Sequence, residues 1–242
     1  MKIFAQIILL LSFCFALTGP EILQKVDNNF QGLNQISEST MIIHDLRFSR
    51  SISAKSWSAE KGKLAFTEYL SPAREKGTKM LKIEDELWIY SPMADRIIKI
   101  AGHMLKQSVS GSDLSYEDYL EESDLVNNYS SKIIREELFE ERECYVLELV
   151  GKKEGLSYPV QKIWVDKERF LPLKSEQFAK SGELLKRSVI NEVFKVANRW
   201  YPKRMTYKDM LKTGKGTEFV VDSIKFDQSI PAHTFTKANL RR

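Results

Sequence analysis

Residues 70–121 read LSPAREKGTKMLKIEDELWIYSPMADRIIKIAGHMLKQSVSGSDLSYEDYLE. The run opens with a basic turn, Ser71-Pro72-Ala73-Arg74-Glu75-Lys76-Gly77. Short strand patterns follow, cut by polar turns at Glu84-Asp85-Glu86 and Ala94-Asp95-Arg96. In such strands alternate side chains share a face, so Trp88 and Tyr90 point the same way. The run closes with Ser115 followed three residues later by Asp118. That spacing predicts a capping box and a short acidic helix, with Tyr116, Tyr119 and Leu120 along one apolar edge. Strands joined by turns this short pair antiparallel with their neighbours.

Working outward, the same texture fills the chain. Before the run, Thr40–His44, Leu46–Ser53 and Lys63–Leu70 read as strands, and in the second Leu46, Phe48, Arg50 and Ile52 share a face. After it, Tyr129–Phe139 and Cys144–Val150 flank the charged Glu140–Glu143 turn, with Tyr145, Leu147 and Leu149 on one side. Val160–Asp166, Leu171–Ala179, Leu184–Val196, Trp200–Met210 and Thr217–Phe226 continue the pattern. Helix signals are confined to Gly19–Asn34 and the neighbourhood of Tyr116. In the first, Pro20 suits the opening turn, and Ile22, Leu23, Val26, Phe30 and Leu33 form one stripe. The expectation is a mainly β (α+β) chain: ten to twelve strands in one large curled antiparallel sheet, one face buried and the other wet. A sheet of this size must close, split or curl around a filler. The N-terminal helix either packs on that sheet or lies across the mouth of a cavity.

The 37 basic and 33 acidic residues leave a net charge of +4 with no basic stripe, which disfavours a nucleic-acid partner. Lys2 precedes Ile3–Leu17, apolar apart from Gln6 and Ser12. This is shorter than the roughly 20 residues of a membrane span and suits a signal-peptide core. Cleavage after Thr18 is expected, giving a leader over 1–18, a single domain over 19–242 and a periplasmic location. Cys14 falls in the leader and follows a bulky Phe13, a poor lipidation site. Cys144 then stands alone, an inert, half-buried small hydrophobe with no disulfide partner. His44, His103 and His233 are isolated, and neither a clustered His/Cys spacing nor a Gly-x-Ser-x-Gly elbow is present. No enzyme activity, metal or cofactor is expected. An apolar concave surface serves either as an ordinary core or as shelter for acyl chains, where each buried methylene contributes about 0.8 kcal/mol.

Several runs together carry a resemblance. Leu87-Trp88-Ile89-Tyr90-Ser91-Pro92, Ser71–Thr78, Gly111-Ser112-Asp113-Leu114, Trp164-Val165-Asp166-Lys167, Leu171-Pro172-Leu173 and Asn239-Leu240-Arg241-Arg242 resemble, in order and spacing, the outer membrane lipoprotein-sorting protein family of LolA-like fold. The resemblance covers about Ile22 to Arg242. It implies an unclosed β-barrel holding a hydrophobic cavity under a helical lid, and a monomeric periplasmic carrier of lipoprotein acyl chains or another lipid. Partners so implied are an inner-membrane transporter of RND/MMPL or ABC type and an outer-membrane acceptor; the alternative role is an accessory module of such an exporter. Candidate cavity residues are Phe30, Phe48, Phe66, Trp88, Tyr90, Leu147 and Trp164. Candidate lid residues are Ile22, Val26, Phe30, Tyr116, Tyr119 and Leu120. Arg74 and Lys76 are rim candidates for headgroups or a membrane partner, or simply a solvated hairpin end. The family's cavity arginine that latches the lid has Lys61 and Lys63 as its nearest counterparts here.

Overall fold

The first and last strands of the chain lie side by side in the middle of its sheet. The computed structural model describes residues 17–242 apart from 31, 46, 122 and 123. The expected leader core therefore falls outside the described residues. The strands are β1 (Asn34–His44), β2 (Ser49–Ala59), β3 (Leu64–Ser71), β4 (Lys79–Ile83), β5 (Glu86–Ser91), β6 (Arg96–Ile100), β7 (Tyr129–Phe139), β8 (Arg142–Gly151), β9 (Val160–Asp166), β10 (Pro172–Phe178), β11 (Leu184–Val196), β12 (Arg199–Asp209) and β13 (Gly216–Phe226). All thirteen join one antiparallel sheet in the order β6-β5-β4-β3-β2-β1-β13-β12-β11-β10-β9-β8-β7. Two meanders, β1–β6 and β7–β13, meet at the β1–β13 seam, and the sheet stays open between β6 and β7. Gly216 starts the seam opposite His44 at φ +97°, and a Cβ there would lie 2.6 Å from the Tyr207 carbonyl oxygen. Only glycine fits.

Helix α1 (Gly19–Phe30) is fastened at its start by Thr18. Its amide and hydroxyl both donate to Glu21 Oε2 at 2.7 Å, and its carbonyl accepts from the Ile22 amide. Ile22, Leu23 and Val26 are buried to 1 % exposure or less against Tyr129, Leu147, Leu149, Ile163 and Val165. Leu33, expected in the same stripe, is 67 % exposed because the helix ends at Phe30. Phe48 is likewise displaced from its expected strand: β2 begins at Ser49, and Phe48 closes the preceding turn by accepting from the Asp45 amide.

Both faces of the β2–β6 half are covered, which corrects the expectation of one wet face. On one face Met41, Ile43, Ile52, Ala54, Tyr69, Met80, Leu87 and Ile100 pack together beneath the connection from β6 to β7. On the other, Ala59, Phe66, Leu81 and Trp88 are roofed by Phe235 and Leu240. These two come from the 3₁₀ turns Ala232–Phe235 and Lys237–Arg241 that end the chain. Leu240 is fully buried, worth about 2 kcal/mol.

Candidate functional site

The chain must pass from edge strand β6 to the opposite edge strand β7, and residues 101–128 make that crossing over the inner face. The crossing contains 3₁₀ turns at Gly102–Lys106 and Val109–Gly111, then α2 (Tyr116–Leu120) and α3 (Leu125–Asn128). Helix α2 forms where the sequence predicts it. Ser115 Oγ accepts from the Asp118 amide, and the Asp118 carboxylate accepts from the Ser115 amide at 2.7 Å. Asp27 of α1 caps α3, accepting from the Leu125 and Val126 amides at 3.2 and 3.0 Å.

Two cavities lie under the crossing. The first, about 120 Å³, is apolar: Met41, Ile52, Ala54, Met80, Val109, Leu114 and Phe219 line it, with Tyr69 and Tyr119 at its polar margin. Burial pushes the Tyr69 hydroxyl up to about 12, so it stays protonated. The second, about 250 Å³, lies between α1 and strands β9–β12. Val26, Phe30, Leu125 and Ile163 share its wall with Asp27, Asp118, Glu121, Gln161, Ser175, Gln177, Ser188 and Tyr207. Burial raises Glu121 to about 7 and Asp27 to about 6. Helix α2 separates the two, turning Tyr119 toward the first and Asp118 toward the second.

The crossing is tied to the sheet through polar groups. Lys186 of β11, 7 % exposed, donates to the Asp113 carbonyl at 2.7 Å and to Asp209 at 3.1 Å, and lies 3.6 Å from Asp118. The Asp113 carboxylate accepts from the Thr217 hydroxyl and the Asp209 amide, both at 2.9 Å. Tyr158 donates to Asp118, and Arg50 to the Ser110 carbonyl. Lys82 donates to the Leu120 carbonyl at 2.9 Å, and Tyr119 shares a hydrogen bond with Thr67. Sequence reading missed Lys186, Asp209, Tyr158 and Thr217. Asp113 lay inside a quoted motif, but nothing local shows a lysine 73 residues away reaching it. Lys61 and Lys63, the expected latch counterparts, sit exposed around the 60–62 turn.

The expected site residues divide between the faces. Phe30 lines the second cavity, Tyr119 lines the first, and Tyr116 and Leu120 pack against the apolar cluster beside it. Leu147 is buried beneath Ile22 and Val26, filling core rather than cavity wall. Phe66, Trp88 and Tyr90 belong to the opposite face, with Phe235 and Leu240. There Lys237 Nζ stands 4.0 Å from the Trp88 ring centre. Trp164 donates its indole N–H to Glu137 and carries Lys174 Nζ 4.0 Å from its ring centre, outside both cavities. Phe48 is 63 % exposed. Strand alternation put Trp88 and Tyr90 on one face, as their shared packing with Phe235 bears out, but misplaced Phe48 and could not show which face was concave. Arg74 and Lys76 are exposed on the 72–77 turn. Among the described residues there is no group of three metal-ligating side chains, and no helix long and apolar enough to cross a membrane.

Comparison with known proteins agrees with this architecture. No curated protein matches the chain in sequence. An outer membrane lipoprotein-sorting protein domain from Vibrio parahaemolyticus superposes with a TM-score of 0.78 at 25% identity, over 93% of this chain and 98% of that one. A DUF1329 family protein from Desulfovibrio piger gives 0.83 at 25% identity, over 92% and 97%. A LolA superfamily protein from Nitrosomonas europaea gives 0.76 at 24% identity, over 93% and 100%, a likeness of fold. A family model described as "Uncharacterized protein" matches residues 61–242, well over half of the chain. The chain therefore belongs to the family that this model describes, and its fold is similar to those of the lipoprotein-sorting and LolA superfamily structures.

Proposed function

We propose that this chain is a periplasmic carrier that holds acyl chains of lipoproteins, or of another lipid, without covalent chemistry and hands them on toward the outer membrane. The observation that carries this reading is an apolar cavity roofed by a separate crossing segment, held to the sheet by apolar packing and by side-chain hydrogen bonds. Such a segment can open as a local unit while the strand ladders stay paired. The cavity as it stands, about 120 Å³, is below the roughly 150 Å³ that shelters one benzene. A long acyl chain therefore requires the roof to rise.

The exposed Arg74 and Lys76 support docking of an inner-membrane transporter of the RND/MMPL or ABC type at the 72–77 turn. The reading is tested by purifying the protein from native periplasm and identifying co-purifying lipid by mass spectrometry. Acyl lipid and displacement of a fluorescent acyl probe are expected. An empty protein that also ignores the probe overturns the carrier. Arg74→Glu with Lys76→Glu is expected to keep probe binding and lose transporter capture; retained capture removes the turn from the docking surface.

A further inference from the structure

The two cavities under the crossing differ in chemistry. The first is mainly apolar, its polar groups being the hydroxyls of Ser39, Ser56, Thr67, Tyr69 and Tyr119. In the second, Gln161, Ser175, Gln177, Ser188 and Tyr207 occupy inner-face positions of β9–β12. A pocket built for hydrocarbon alone would carry aliphatic side chains there. Gln177 is 8 % exposed, and its Oε1 accepts a long, 3.4 Å hydrogen bond from Tyr207. Among the described residues its amide nitrogen has no acceptor, although it lines the cavity. Gln161, 4 % exposed, meets the Tyr129 hydroxyl with one end of its amide and lines the same space. Both amides line the cavity, where a bound hydrogen-bonding group can pair with them.

Charge narrows the ligand further. Asp27, Asp118 and Glu121 line this cavity from α1 and the crossing, and no lysine or arginine does so. Lys186, 3.6 Å from Asp118, is engaged with the Asp113 carbonyl and Asp209. A phosphate or carboxylate entering here would meet like charge. Because α2 is the shared wall, lifting it joins the polar cavity to the apolar one.

Resting on the carrier reading, we infer that the second cavity seats the polar part of the cargo lipid, an uncharged hydrogen-bonding group such as a glycerol hydroxyl or an acyl amide, while the acyl chain runs past α2 into the first. Asp27 and Glu121 disfavour anionic headgroups, Asp118 being paired with Lys186. The head, not the chain, then sets which lipids are accepted.

The test uses the whole mature protein with Nile red as an uncharged reporter at pH 8, where Asp27 and Glu121 are ionised. Four competitors share one palmitoyl chain: monopalmitoylglycerol, N-palmitoylethanolamine, palmitate and palmitoyl-lysophosphatidylglycerol, each below its micelle concentration. The two neutral lipids are expected to displace the dye at about ten-fold lower concentration than the two anions, and Gln177→Leu with Ser188→Ala to shrink that gap below about three-fold. Equal displacement by all four, or preference for the anions, overturns the headgroup assignment and leaves the carrier standing. Displacement by none of them overturns both. An undiminished gap in the double variant removes Gln177 and Ser188 from the seat.

Discussion

Lys186 shows how much one buried side chain can hold. Its ammonium meets a carbonyl of the crossing and two carboxylates, Asp209 of the sheet and Asp118 of α2. Its worth comes less from attraction than from the cost of leaving those acceptors dry and unpaired. Lys186→Met keeps the stem and removes the charge, and is expected to cost about 3–5 kcal/mol in denaturant unfolding. Amide exchange distinguishes a latch from general stability. Residues 108–120 should exchange faster in the variant while the β1–β13 seam keeps its protection; uniform loss along the chain would show that Lys186 props the whole sheet instead. Glu121 is the residue to watch in that experiment, because raising the crossing exposes a carboxyl that burial holds at about 7.

At the scale of elements, helix α1 bears on where a leader would be cut. Thr18 supplies three hydrogen bonds to the first turn, and Leu17 already packs against the cluster under the helix. Cleavage after Thr18 would discard both, and losing such a cap costs about 1 kcal/mol. Cutting after Ala16, with Cys14 two residues before it, keeps them and still leaves small residues at the cleavage positions. N-terminal sequencing of the exported protein is expected to begin at Leu17; a start at Gly19 would show that the cap is dispensable. Elements of this kind were largely legible in the sequence: the α1 stripe, the turns, and the α2 capping box each rest on residues within a few positions of one another. What was not legible depends on distant partners. The side of the sheet taken by Trp88 and Phe66 is decided by Phe235 and Leu240, some 150 residues later, and the anchor of Asp113 by Lys186. Alternation fixes which side chains travel together, never which face will be roofed.

For the whole molecule, the wiring that opens the sheet between β6 and β7 also creates the site. A chain that leaves one edge and must resume at the other has to span the concavity, so the cover comes with the topology rather than as an added lid. The two central strands, meanwhile, are the first and the last to be made, with Gln35 opposite Phe226 and His44 opposite Gly216. Contacts so far apart in sequence put a large loop-closure entropy ahead of the pairing that rewards it. Each meander can collapse as it emerges, but the seam that unites them waits for the final thirty residues. A chain cut before Gly216 is therefore expected to leave the β1 amides that face β13 unprotected while those that face β2 keep protection; loss of protection along the whole of β1 would show that the first meander needs the seam to fold. Until that last strand arrives the two meanders have no strand pairing to hold them together, so the finished sheet is assembled only after its end has been made.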